Sequence, residues 1–156
     1  ALVTGATGGI GAEIARTLHR QGAHVVLSGT REAVLAELAA ELGDRTSVEA
    51  ANLGDAESVD GLVGRAEEAA GGRLDILVAN AGITRDGLLM RMKDEDWEQV
   101  LKINLESYFR LARSAMRGMM KRRFGRIIGL DGSCDGEDFE VHRAALEAAM
   151  RPGLIL

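Results

Sequence analysis

The chain has 156 residues, 46% apolar and 28% charged, with a formal net charge of −5. That is long enough for one domain with a real core and too acidic for a general nucleic-acid or anionic-membrane binder. No apolar run approaches the ~18 residues that span a bilayer. With no basic-apolar leader and a single cysteine, Cys134, the expectation is a cytoplasmic protein without an internal disulfide.

Short apolar runs alternate with amphipathic helices. Ala1–Thr4 reads as a buried strand. Ile10, Ile14 and Leu18 follow at helical spacing, and Gly22 ends that helix. His24–Leu27 is a second strand. Val34, Leu35, Leu38 and Leu42 mark a second helix that stops at Gly43, and Thr46–Ala51 is a third strand. Asp55 can N-cap a helix running to about Ala70, with Gly71 and Gly72 as its stop. Leu74–Val78 is the fourth strand. Asp94 can cap one long helical stretch through Trp97, Leu101, Leu105, Phe109, Met116 and Met119, and Arg126–Leu130 is the fifth strand. Strands alternating with helices predict a parallel sheet covered on both faces, with right-handed crossovers.

The first turn carries chemistry. In ALVTGATGGIGAEIA the spacing is Gly5-x3-Gly9-x-Gly11, between a strand and a helix. Gly5 permits a sharp exit from the strand, Gly9 lets the backbone approach a pyrophosphate, and Gly11 allows tight helix–strand packing. Free N–H groups at the helix start then face phosphates. No Lys-Ser/Thr follows, which disfavours a nucleoside-triphosphate loop, and the G-x-G-x-x-G spacing is not met.

TGATGGIG (Thr4–Gly11) and ANAG (Ala79–Gly82) resemble the short-chain dehydrogenase/reductases. NAGITRDGLLMRMKDEDW (Asn80–Trp97) and MMKRRFGRII (Met119–Ile128) look more specifically like the bacterial 3-oxoacyl-acyl-carrier-protein reductases. The resemblance covers residues 1–128. It implies a Rossmann-type doubly wound sheet of five strands in the order 3-2-1-4-5, occupying residues 1–130. It also implies reduction of a 3-oxoacyl thioester with a nicotinamide cofactor in fatty acid synthesis. The backbone of Gly5, Thr7, Gly9, Ile10 and Gly11 would then hold the diphosphate. Asn52 and Leu53 would lie by the adenine, and Asn80, Ala81 and Gly82 by the ribose. Thr4 is expected to brace the loop after the fourth strand. At the end of the second strand, LSGTRE has no acid before Glu32, whereas Thr30 and Arg31 suit a 2′-phosphate. NADP(H) is therefore favoured over NAD(H), the plainer alternative being that Arg31 is a solvated first-turn residue.

Asn104 sits within KINLESYF, where Asn is a poor helix former. By resemblance it belongs to the active site, kinks the helix and holds a proton-relaying water. In the family the same helix pairs across a subunit boundary, which implies a homo-oligomer. The cations Arg117, Lys121, Arg122, Arg123 and Arg126 either steer an acidic acyl carrier protein or simply favour a helix C-terminus.

The tail departs from the family. Proton donation there needs a Tyr with a Lys four residues later, yet the one tyrosine, Tyr108, is followed at that spacing by Ala112. Laying LEAAMRPGLI over the motif puts Glu147 and Arg151 in those places, an acceptor and a fixed cation. Ser133 is a candidate for orienting the carbonyl, one residue out of the family spacing, a slip that a bulge could absorb. Asp131, Asp135, Glu137, Asp138, Glu140 and Glu147 make this stretch acidic without a calcium-loop order, and Cys134 and His142 lack partners at metal spacing. No metal site is expected. Residues 131–156 read as an altered active-site segment, so the chain as written should be impaired as a catalyst. The alternatives are a non-catalytic nucleotide-binding or oligomerisation module and a truncated fragment.

Overall fold

A computed structural model describes residues 1–130. In chain order the elements are β1 (Leu2–Thr4), α1 (Gly9–Arg20), β2 (Val25–Ser28), α2 (Glu32–Leu42), β3 (Thr46–Val48), α3 (Ala56–Ala69) and β4 (Ile76–Ala79). A short 3₁₀ turn at Leu89–Arg91 precedes α4 (Asp94–Val100), a π-helical segment (Leu101–Glu106), α5 (Ser107–Arg122) and β5 (Arg126–Gly129).

The strands form one parallel sheet in the order β3-β2-β1-β4-β5, with Val3 beside Leu27 on one side and Val78 on the other. Strands this short are stable because both faces are covered, so LVT, VVLS and ILVA are buried at every position. Alternation sorts their side chains. Leu2, Val26 and Leu77 point to the layer holding Leu62 of α3 and Leu111 of α5. Val3, Leu27 and Val78 point to the layer holding Ile14 and Leu18 of α1 and Leu35 of α2. The chain leaves β1 towards β2 and β3, then crosses back to β4. The strand order therefore reverses between β1 and β4, and a crevice opens at the carboxyl ends of those two strands.

Local chemistry sets the element ends. Asp55 caps α3, its Oδ2 accepting from Ser58 N at 3.0 Å. Gly43 follows α2 at φ +75°, and Gly71 and Gly72 follow α3 at +85° and +95°. Three expectations are corrected. Asp94 does not cap the long helix: Lys93 occupies the cap position, and Asp94, Glu95 and Asp96 lie in the first turn, where acids favour the positive end of the helix dipole. The single long helix is interrupted at Leu101–Glu106 by the π segment containing Asn104, a feature that recurs at functional sites. Ile10, placed on the apolar stripe of the first helix, is 42% exposed, because it stands at the open start of α1.

Candidate functional site

The crevice is built on two loops that hold each other. Gly5 leaves β1 at φ +65°, a left-handed conformation that glycine adopts most readily. Gly8 N donates back to Gly5 O at 3.1 Å, and α1 starts at Gly9 with no side chain capping it. The glycines divide into two kinds. A Cβ on Gly11 would collide with the Gly5 carbonyl and lie 2.7 Å from Asn80 Nδ2, so Gly11 lets helix and loop touch. A Cβ on Gly9 would meet nothing within 4 Å. Gly8, Gly9 and Ile10 are exposed, so the uncapped end of α1 faces the crevice with its backbone bare. An open helix start of this kind is an anion-binding geometry, and it fits the diphosphate expected there.

The second loop follows β4. Thr4 Oγ1, buried, accepts from Asn80 N at 3.1 Å and Ala81 N at 3.2 Å and donates to Val78 O at 3.4 Å. Asn80 Nδ2 donates to Thr4 O at 3.0 Å and Gly5 O at 3.3 Å. Thr4 thus braces the loop as expected, and the Asn80 amide ties it to the glycine turn. Gly82 follows, exposed, where a Cβ would stand 3.4 Å from Asn104 Oδ1.

Asn104 itself is paired like a strand residue: Oδ1 accepts from Ile83 N and Nδ2 donates to Ile83 O, both at 2.9 Å. The side chain replaces a neighbouring backbone for Ile83. This places the π segment against the loop after β4, at the same end of the sheet as the glycine turn. Sequence reasoning saw Asn104 but missed Ile83, because an isoleucine in a loop gives no local sign that its backbone is bonded.

On the other side of the turn, Arg31 Nη2 donates to Thr7 O at 2.6 Å. A Cβ on Gly29 would stand 3.1 Å from Thr7 Cγ2, and Ala6 N bonds Ser28 O at 3.0 Å. Arg31 therefore lies across the glycine turn, exposed and with no other hydrogen bond among the described residues, and Thr30 is exposed beside it. Asn52 is exposed, its Oδ1 accepting from Gly54 N at 2.9 Å. Leu53 is 8% exposed and belongs to the core, so its side chain packs inward rather than presenting a face to the crevice.

The basic cluster is not one patch. Arg122 turns inward, Nη2 donating to Leu74 O at 2.5 Å, with Asp75 at 3.7 Å and Glu67 at 3.9 Å. Arg126 bonds Gly125 O and lies 5.4 Å from the Phe124 ring centre. Arg117, Lys121 and Arg123 remain exposed. Farther along α5, Arg110 is held by Glu106 and Asp60, which raise its guanidinium above the ordinary arginine value. Tyr108 is half-buried, its ring packed beside Gly129 of β5. Ser133, Cys134, His142, Glu147 and Arg151, and with them the segment 131–156, lie outside the described residues. No helix among the described residues is long and apolar enough to cross a membrane.

Comparison with known proteins identifies the family. The family model for short chain dehydrogenase matches residues 1–145. Nodulation protein G of Rhizobium sp. (strain N33) is 56% identical over 130 residues, 83% of this chain and 53% of that protein. The 3-oxoacyl-[acyl-carrier-protein] reductase FabG of Rickettsia bellii is 48% identical over 130 residues, 83% of this chain and 52% of that protein. The protein of the same name from Haemophilus influenzae is 47% identical over a similar stretch. The chain spans about half the length of the curated relatives it matches.

Proposed function

Because the chain belongs to the short-chain dehydrogenase family, we propose that its crevice seats NADPH, NADH being the weaker ligand, and that it is part of a cytoplasmic oxidoreductase reducing a 3-oxoacyl thioester on acyl carrier protein in fatty acid synthesis. The observation that carries the reading is the uncapped start of α1 over Gly9, held by the Thr4–Asn80 bonds and crossed by Arg31. When bound, the nicotinamide supplies the hydride. The backbone of Gly5, Thr7, Gly9, Ile10 and Gly11 holds the diphosphate. Thr30 and the free nitrogens of Arg31 receive the 2′-phosphate, a charge-assisted contact that NADH cannot make. Asn52 and the backbone of Leu53 flank the adenine, and Ala81 and Gly82 the ribose. Asn104 keeps its loop in register with the crevice, with Ser133 as the group that orients the carbonyl.

Among carriers, the names of the relatives favour acyl carrier protein, and Arg117, Lys121 and Arg123 are the cations left to meet it. The α4–α5 face is a subunit boundary. Carbonyl reduction also needs a proton donor, and these 156 residues contain no Tyr with a Lys four places later. The domain of residues 1–130 therefore binds, while residues 131–156 do not complete the chemistry.

The test is calorimetric titration of the 156-residue chain with NADPH and NADH, alongside turnover of acetoacetyl thioester. NADPH binding without turnover is the expected result. Absence of nucleotide binding overturns the reading, and measurable turnover overturns the assignment of impairment.

A further inference from the structure

In an α-helix each N–H bonds the carbonyl four residues back. At the end of the π segment the Ser107 N–H reaches instead to the Lys102 carbonyl, five residues back. The Ile103 carbonyl, which an α-helix would have given to that N–H, accepts from the Ser107 hydroxyl at 2.6 Å. One residue thus serves both carbonyls, its backbone making the π bond and its side chain the bond its backbone gave up. A helix serine often bonds the carbonyl four residues back in addition to its own N–H; Ser107 bonds it in place of that N–H.

The position of this serine points the same way. Ser107, Leu111, Ala115 and Met119 form the buried row of α5, and the last three belong to the apolar layer that holds Leu2 and Leu77. Ser107 is 3% exposed, so the row opens with a hydroxyl that needs a partner where an apolar group would need none. Its acceptor lies next to the site. Ile103 packs against the same layer, its Cδ1 3.8 Å from where a Cβ on Gly54 would stand. The following residue, Asn104, makes the two bonds to Ile83. Glu106 is also tied to Arg110, but on the surface, where ion pairs contribute little.

We propose that Ser107 is a positioning residue whose hydroxyl keeps the π turn open and so holds Asn104 against Ile83 and the loop after β4. Without the hydroxyl, the N–H at position 107 returns to the Ile103 carbonyl and the segment winds as an α-helix. Asn104 then turns away from Ile83 by one residue's rotation, ~100°. The consequence for the crevice rests on the reading of that crevice as a nucleotide site; the consequence for Ile83 does not.

Hydrogen exchange read residue by residue by NMR on the 156-residue chain tests it, with circular dichroism to show that each variant is folded. In Ser107→Ala the Ile83 amide exchanges about fivefold faster or more, and the Asn104 side-chain amide resonances move towards those of a free amide. Leu2, Leu111 and Ala115 stay within about twofold of the wild type. Ser107→Cys, close in size but a weak donor, behaves like Ser107→Ala. In an Asn104→Leu background Ser107→Ala adds no further acceleration at Ile83, because the effect passes through Asn104. Three results overturn the positioning role: an unchanged Ile83 amide, acceleration shared by Leu111 and Ala115, or acceleration that adds to that of Asn104→Leu. A Ser107→Cys protein that matches the wild type overturns it too, since packing would then be the cause. Calorimetric titration reads the link to the crevice, with NADPH binding Ser107→Ala about threefold more weakly or worse; equal affinity overturns that link. A wild-type chain that binds no NADPH while Ile83 still responds overturns the nucleotide reading and supports the positioning role.

Discussion

Replacing Gly11 by Ala and Gly9 by Ala in parallel separates packing from binding within one loop. At Gly11 the new methyl collides with the Gly5 carbonyl and sits 2.7 Å from Asn80 Nδ2. Backbone cannot rotate away as a side-chain tip does, so the overpacking cost is at the upper end of its range, about 3 kcal/mol. Displacing the Asn80 amide from Gly5 O forfeits about 1 kcal/mol more, and better helix propensity returns about 1 kcal/mol. The net loss of about 3 kcal/mol corresponds to a fall in Tm of roughly 6–12 °C for a domain of this size. At Gly9 the methyl meets no atom within 4 Å and φ is not positive, so Tm stays within about 2 °C. The same methyl stands at the mouth of the helix start and lowers NADPH affinity by about tenfold or more, because the phosphate no longer reaches the N–H groups. Thermal unfolding and calorimetric titration read the two effects. A Gly11→Ala protein as stable as wild type, or a Gly9→Ala protein that binds NADPH undiminished, would refute the division of the glycines into packing and cradle.

Other changes probe the neighbouring contacts. Arg31→Ala removes the guanidinium from the 2′-phosphate and weakens NADPH by about tenfold while leaving NADH nearly unchanged; equal losses for both nucleotides would show that Arg31 acts only through Thr7. Asn104→Leu removes both bonds to Ile83, and hydrogen exchange should speed up at Ile83 and its neighbours with little change in β1 or β2; unchanged exchange at Ile83 contradicts the pairing. The Arg16 guanidinium, through its hydrogen bonds to Glu41, holds that carboxyl below its ordinary range. A depressed carboxylate contributes stability above its unfolded pKa and loses it as pH falls through the folded one. Glu41→Gln should therefore lower Tm slightly at neutral pH, by an amount that vanishes on acidification below the usual carboxylate range; a gap that persists at low pH points to packing instead of charge.

What the sequence determined about this protein was local. The period of apolar residues, the glycines at φ-positive stops, and a buried run before each loop are consequences of neighbours along the chain. They gave the five strands, the helices between them and the glycine turn. Where the cap residue differed, at Lys93 and Asp94, the acid still served the helix dipole one position on. The tertiary structure decided which groups meet. Asn80 reaches Thr4 across 76 residues and Ile83 reaches Asn104 across 21, and neither bond follows from the residues around it. Arg122 and Arg126 read in sequence as members of a surface patch, yet one bonds the Leu74 carbonyl and the other lies on Phe124. A charged side chain goes where a partner is, and partners are placed by the crossing of β1 and β4, which only the folded sheet provides.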